Sequence, residues 1–165
     1  MSIAVRAVEA DDAPRLLQIY VESWNAGFGE LMPHLVVDED RISRWTTELT
    51  AAQTRWWVAE FDGSIAGFVG IGPSRDPIDP QLGELDTIAV SPALWRKGIG
   101  SALMRTALDA LADAGFTEAI VWTLAASDQG QAFYDSMGWT RDGRTRDDGD
   151  QVSFRHDLRR PWPDQ

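Results

Sequence analysis

The chain has 165 residues, 44% hydrophobic and 25% charged, enough for one packed core in a single domain spanning 1–165. Fifteen Lys and Arg stand against 26 Asp and Glu, and the resulting net charge of −11 repels nucleic-acid phosphate while favouring a cationic or amine-bearing partner. The absence of cysteine excludes disulfides, thiolate metal sites and a cysteine nucleophile.

The start, "MSIAVRAVEADD", lacks the basic and apolar segments of a signal peptide, and no apolar run reaches the roughly 18 residues of a membrane span. A cytoplasmic protein without nucleic-acid or membrane partners is expected. "IAVRAVEADD" reads as a short strand followed by helix-capping acids, with Pro14 tolerated in the first turn of the helix after it. Leu16, Leu17, Tyr20, Val21 and Trp24 recur at helical spacing. Asn25 to Pro33, "NAGFGELMP", reads as a loop, and Asp38 caps a second helix with Ile42, Trp45 and Leu49 on one face. "RWWVAEFDGSIAGFVGIG" is a hairpin, because two β-rich runs flank Asp62-Gly63.

After the proline-bearing loop "SRDPIDPQ", "LGELDTIAV" reads as a strand ended by Pro92. Gly98 to Ala114 is an amphipathic helix with Leu103, Met104, Ala107, Leu108 and Leu111 on its apolar stripe, stopped by Gly115. The continuous apolar run "EAIVWTL" predicts a strand covered on both faces. A short helix over about 127–137, an extended segment from Trp139 and a final strand at 152–158 complete the chain. "RTRDDGD" between the last two reads as a solvated turn.

The stretch "VSPALWRKGIGSALM" carries the strongest chemical signal. A glycine-rich turn from strand to helix presents free N–H groups and the positive helix end to an anion, and Arg96 and Lys97 add charge beside it. A dinucleotide fingerprint needs a small residue where Leu103 stands, and a P-loop needs its lysine after the second glycine, whereas Lys97 precedes Gly98. NAD and ATP are therefore disfavoured.

"LDTIAVSPALWRKGIGSALM" and "EAIVWTLAASDQGQAFYDSMGW" resemble, in order and spacing, the two acyl-CoA motifs of the GNAT superfamily of N-acetyltransferases. The resemblance covers most of the chain and implies an α/β fold with a mixed central sheet of about seven strands and about four helices, in the order β-α-α-β-β-β-α-β-α-β-β. It departs from the family at three places: Trp95 stands where Arg or Gln opens the loop, Ser127 where Asn is usual, and Gly130 where Ala is usual.

The resemblance implies an acetyl-CoA-dependent N-acetyltransferase in which the amine attacks the thioester directly, without a metal. Pantetheine would pair with Ile88, Ala89 and Val90, the pyrophosphate would sit on the N–H groups of Arg96, Lys97, Gly98, Ile99, Gly100 and Ser101, and Trp95, Ser127, Phe133 and Tyr134 would also contact the cofactor. Tyr134 matches the family's general acid toward the leaving thiolate. A lysine-like amine, with a pKa of about 10.4, must lose a proton before attack. Glu84 and Asp86, on one face of an unbulged strand, are alternative bases for that step.

Trp24, Phe28 and Glu30 could form an aromatic and acidic cup for the amine acceptor. His34 and His156 lack metal-ligand companions and read as surface or hydrogen-bonded structural residues. A GNAT-fold domain that senses an acyl-CoA without catalysis is the competing reading, and a homodimer through the C-terminal strands is left open.

Overall fold

Period-2 and period-3.6 runs become seven strands and four helices within residues 2–28 and 36–159, which the computed structural model describes. In chain order they are β1 (Ile3–Ala7), α1 (Ala13–Phe28), α2 (Glu39–Leu49), β2 (Arg55–Phe61), β3 (Ser64–Pro73), β4 (Leu82–Val90), α3 (Ile99–Asp113), β5 (Glu118–Leu124), α4 (Asp128–Ser136), β6 (Thr140–Arg146) and β7 (Gln151–Asp157). This is the expected order. The strands form one sheet, β1-β2-β3-β4-β5-β7-β6, in which β4 and β5 are the parallel pair, joined through α3. No helix among the described residues is long and apolar enough to cross a membrane.

Local chemistry sets most boundaries. Asp62 and Gly63 take φ values of 51° and 89°, the left-handed pair that a tight hairpin between β2 and β3 requires. Asp38 accepts the N–H of Arg41 at 2.8 Å and starts α2. One boundary differs from expectation: Asn25 to Phe28 belong to α1 rather than to a loop. Gly27 lies inside the helix, so one glycine did not outweigh the apolar stripe that seats α1 on the sheet.

The sheet has two apolar faces. On one, α3 buries Leu103, Met104, Ala107 and Leu111 against Val69, Leu85, Val121 and Phe154. On the other, α1 and α2 cover Trp56, Val58, Phe68 and Ala89 with Leu16, Ile19 and Leu49. Tyr20, Trp45, Trp56 and Phe68 form a chain of rings there, with centroids 5.0–6.2 Å apart.

The sheet opens in its middle. β4 pairs with β5 only at Leu82↔Glu118, Gly83↔Ala119 and Glu84↔Ile120. Beyond these, β4 stays with β3 while β5 stays with β7 along its whole length, so the two halves diverge into a wedge. The expectation that β5 is covered on both faces therefore holds for Ala119 to Val121 and fails for Trp122 to Leu124, which are half-buried at the opening. β4 also carries a bulge. Ile71 faces Leu85 and Gly70 faces Thr87, which leaves Asp86 as the extra residue, at the point where the wedge begins.

Candidate active site

A cleft of about 950 Å³ occupies the wedge, walled by the end of β4, the loop into α3, and α4. Its floor follows from strand alternation. Ser91 gives its N–H to Ala66, so Ala89, of the same parity, turns its peptide groups to β3, and those of Ile88 and Val90 point into the wedge. An extended ligand would thus pair with Ile88 and Val90 rather than with Ala89.

At the end of β4 the chain makes a short 3₁₀ turn over Pro92–Leu94 and then enters α3 through two left-handed residues, Arg96 (φ 67°) and Gly98 (φ 87°). Arginine in this region is strained, a cost that binding loops commonly carry. The first backbone N–H to return to the helix is that of Ala102, given to Gly98 at 3.1 Å. The N–H groups of Ile99, Gly100 and Ser101 precede it, at the positive end of the dipole, and all three residues line the cleft. Trp95 is explained by a contact that its position in the motif could not show: its indole Nε1–H donates to the Val90 carbonyl at 2.7 Å. The side chain ties the loop back to the last residue of β4. Lys97 is exposed, so of the residues expected along this loop it alone does not line the cleft.

Ser127 and Gly130 depart from the family pattern together, and they are in contact. The Ser127 hydroxyl caps α4 by accepting the Gly130 N–H at 3.0 Å. A Cβ on residue 130 would lie 2.9 Å from Thr123 Oγ1 and 3.1 Å from Ser127 Oγ. Gly130→Ala is therefore expected to cost about 1–3 kcal/mol of stability. In a Thr123→Ala background the cost becomes smaller, a non-additivity that denaturant melts of the two single variants and the double variant would read.

Tyr134 stands on α4 at the cleft wall, 8% exposed, with its ring against Phe133, Trp139 and Phe154 at 5.5–5.9 Å. Burial pushes its phenol well above the usual tyrosine range, so it stays protonated at neutral pH. Its hydroxyl makes no hydrogen bond with another described residue.

Glu84 and Asp86 lie on the other face of the sheet, toward α1 and α2. The bulge at Asp86 removes simple alternation, yet both carboxylates still meet at Arg75, whose Nη2 is 3.2 Å from Glu84 Oε2 and 2.9 Å from Asp86 Oδ2. Burial raises the Asp86 carboxyl above its ordinary value, opposed by the Arg75 charge and by the Thr87 hydroxyl. The two acids do not line the main cleft. They border a smaller one with Glu48, Gln53 and Thr54.

Of the expected acceptor cup, Trp24 is half-buried on α1 and stacks on Tyr20 at 6.0 Å, Phe28 is the last residue of α1, and Glu30 falls outside the described residues, as does His34. His156 is buried edge-on against Trp139 at 5.4 Å, and burial lowers its pKa. "RTRDDGD" is not simply solvated. Arg146 lies over the Trp122 ring at 4.4 Å, and Arg144 and Arg146 both approach Asp76 at 3.6 Å, so the turn is pinned to the β3–β4 loop. Sequence reasoning did not single out Arg75 or Tyr20, because only the sheet brings a β3–β4 loop arginine and an α1 tyrosine toward Asp86.

Comparisons with known proteins agree with this architecture. Residues 13–139 match the model of the family described as Acetyltransferase (GNAT) family. The chain is 35% identical over 99 residues to rat N-acetyltransferase family 8 member 3, covering 59% of this chain and 43% of the relative. It is 25% identical over 124 residues to the uncharacterized N-acetyltransferase YuaI of Bacillus subtilis, covering 74% and 72%. The chain thus spans less than half the length of the family 8 relative. Among solved structures, PaiA N-acetyltransferase from Thermoplasma acidophilum, in complex with coenzyme A, superposes with a TM-score of 0.73 at 20% identity, covering 95% of this chain and 99% of that one. The acetyltransferase YncA from Salmonella typhimurium, with acetyl-CoA, gives 0.76 at 19% identity, covering 99% of both. At these identities the neighbours speak for the fold, and the family match, extending over most of the chain, settles membership: this protein belongs to the GNAT acetyltransferase family.

Proposed function

We propose that the protein is an acetyl-CoA-dependent N-acetyltransferase that moves an acetyl group to a primary amine, of a small molecule or of a protein, by direct attack in a ternary complex. The observation that carries this reading is the wedge between β4 and β5, with a helix N-terminus at one end, open strand edge along its floor, and the Tyr134 phenol and the Asp86 carboxylate on opposite faces of the sheet. The names of the matched relatives and the coenzyme A ligands of two structural neighbours support it.

The residues present fit the donor. Ile99, Gly100 and Ser101 offer N–H groups to a pyrophosphate, and Ile88 and Val90 offer peptide edges to pantetheine. When bound, acetyl-CoA supplies the activated acyl group as a thioester. Tyr134 gives its phenolic proton to the departing sulfur, and it carries that proton at neutral pH because burial disfavours the phenolate. Asp86, rather than Glu84, takes the proton from the amine. Glu84 is 7% exposed and lies where β4 is still paired with β5, whereas Asp86 sits at the bulge where the wedge begins. Tyr20, whose phenol lies in the field of Asp86, and Trp24 and Trp45, packed on the Tyr20 ring, form the wall against which the acceptor lies, a surface suited to a cationic or apolar amine.

The test is thiol release from acetyl-CoA across a panel of primary amines, with coenzyme A affinity measured in parallel. Amine-dependent release by at least one panel member is expected. Binding of coenzyme A with no release for any amine would overturn catalysis in favour of an acyl-CoA sensor.

A further inference from the structure

One arginine holds the charged face of β4 together, and a neighbouring acid holds that arginine. Arg75, on the β3–β4 loop, gives its backbone N–H to Glu84 Oε1 at 3.1 Å and its Nη2–H to Glu84 Oε2 at 3.2 Å. Both Glu84 oxygens are thereby spent on one residue. The same Nη2 reaches Asp86 Oδ2 at 2.9 Å, and Asp86 Oδ1 accepts the Thr87 hydroxyl at 3.1 Å.

The other groups facing Asp86 come from three directions. Glu48 on α2 repels its charge, and Tyr20 on α1 lies within reach of its field, with Arg41 of α2 acting on that phenol in the opposite sense. On the loop, Asp76 is turned instead to Arg144 and Arg146. Among the described residues Arg75 is thus the cation paired with Asp86.

We infer that Glu84 and Arg75 form a clamp, in which Arg75 is the positioning residue that fixes the Asp86 carboxylate at the β4 bulge. The inference rests on the reading of Asp86 as the general base. Two physical consequences follow. The bulge gives Asp86 no fixed strand partner, so its direction depends on the side chains that hold it, and a single positively charged nitrogen, Arg75 Nη2, ties it to Glu84. Burial meanwhile works against the carboxylate charge that a base needs, and Arg75 offsets part of that cost. The Arg75 side chain is 61% exposed, so solvent screens its charge and the effect is graded rather than absolute.

The experiment compares Arg75→Gln, Arg75→Lys and Asp86→Asn by kcat/KM against pH and by calorimetric titration with coenzyme A. Arg75 does not line the main cleft, so coenzyme A affinity is expected to be unchanged in all three. Arg75→Gln is expected to move the acid limb to higher pH, lowering kcat/KM by about tenfold on the acidic side of the wild-type midpoint and by less than about twofold on the plateau. Arg75→Lys is expected to keep both the limb and the plateau within about twofold of wild type, because an ammonium carries the same charge and three N–H donors.

An acid limb unmoved by Arg75→Gln, with Asp86→Asn inactive, would overturn the clamp and leave the base reading standing. Full activity of Asp86→Asn would overturn the base reading itself. If the glutamine variant does not fold, Glu84→Gln decides: it loosens the hold on Arg75, and an acid limb that stays at its wild-type position there overturns the clamp.

Discussion

Tyr134→Phe is expected to lower kcat by about 10²- to 10⁴-fold, the range ascribed to one well-placed general acid or base. The change removes one oxygen and keeps the ring, whose contacts with Phe133, Trp139 and Phe154 supply the packing. Coenzyme A affinity and thermal midpoint should therefore stay near wild type, and the loss should fall on kcat rather than KM. Steady-state rates with the best amine of the panel, beside calorimetric binding, check this. A Phe variant with wild-type kcat would show that the departing thiolate needs no proton from the phenol.

Asp86→Asn is expected to cost a comparable factor in kcat and to erase the acid limb of the rate profile. The sign follows from the environment. Burial raises the folded-state pKa of Asp86, so the base is competent above that raised value and activity falls as pH drops through it. The same shift makes the ionised carboxylate a cost to folding at neutral pH, because the folded state holds its proton more tightly than the unfolded chain does. Asparagine removes that cost, and Arg75 keeps Glu84 as its partner, so the thermal midpoint at pH 7 should be held or raised while turnover collapses. Opposed changes in stability and activity distinguish a strained functional carboxylate from a structural one.

Much of the fold was legible because its signals are local. Asp62-Gly63 demanded a tight hairpin, Asp38 a helix start, and the stripe from Leu103 to Leu111 a helix packed on a sheet, and each appears where expected. The end of α1 differs from expectation because a single glycine costs less than ending a helix already running from Ala13. The second half of β5 differs because a run of apolar residues looks alike whether its neighbouring strand stays or leaves.

The candidate site divides along the same line. The Gly98-x-Gly100 turn and the Phe133-Tyr134 pair are contiguous motifs whose order and spacing point to a shared site, and both line the main cleft. The choice between Glu84 and Asp86 had no local signature. It depends on a bulge set by the register of β3 against β4, on a loop arginine nine residues before one acid and eleven before the other, and on burial beneath α1 and α2. The three departures from the family pattern behave likewise, since Trp95 is explained by the Val90 carbonyl, and Ser127 with Gly130 by the space around Thr123.

By itself, then, the sequence determined the element order, the phosphate-ready turn and the tyrosine at the cleft wall, because these follow from short-range periodicity, turn chemistry and motif spacing. Only the tertiary structure decided where the sheet parts and which carboxylate stands at the bulge, because strand register and burial arise from contacts between residues far apart in the chain.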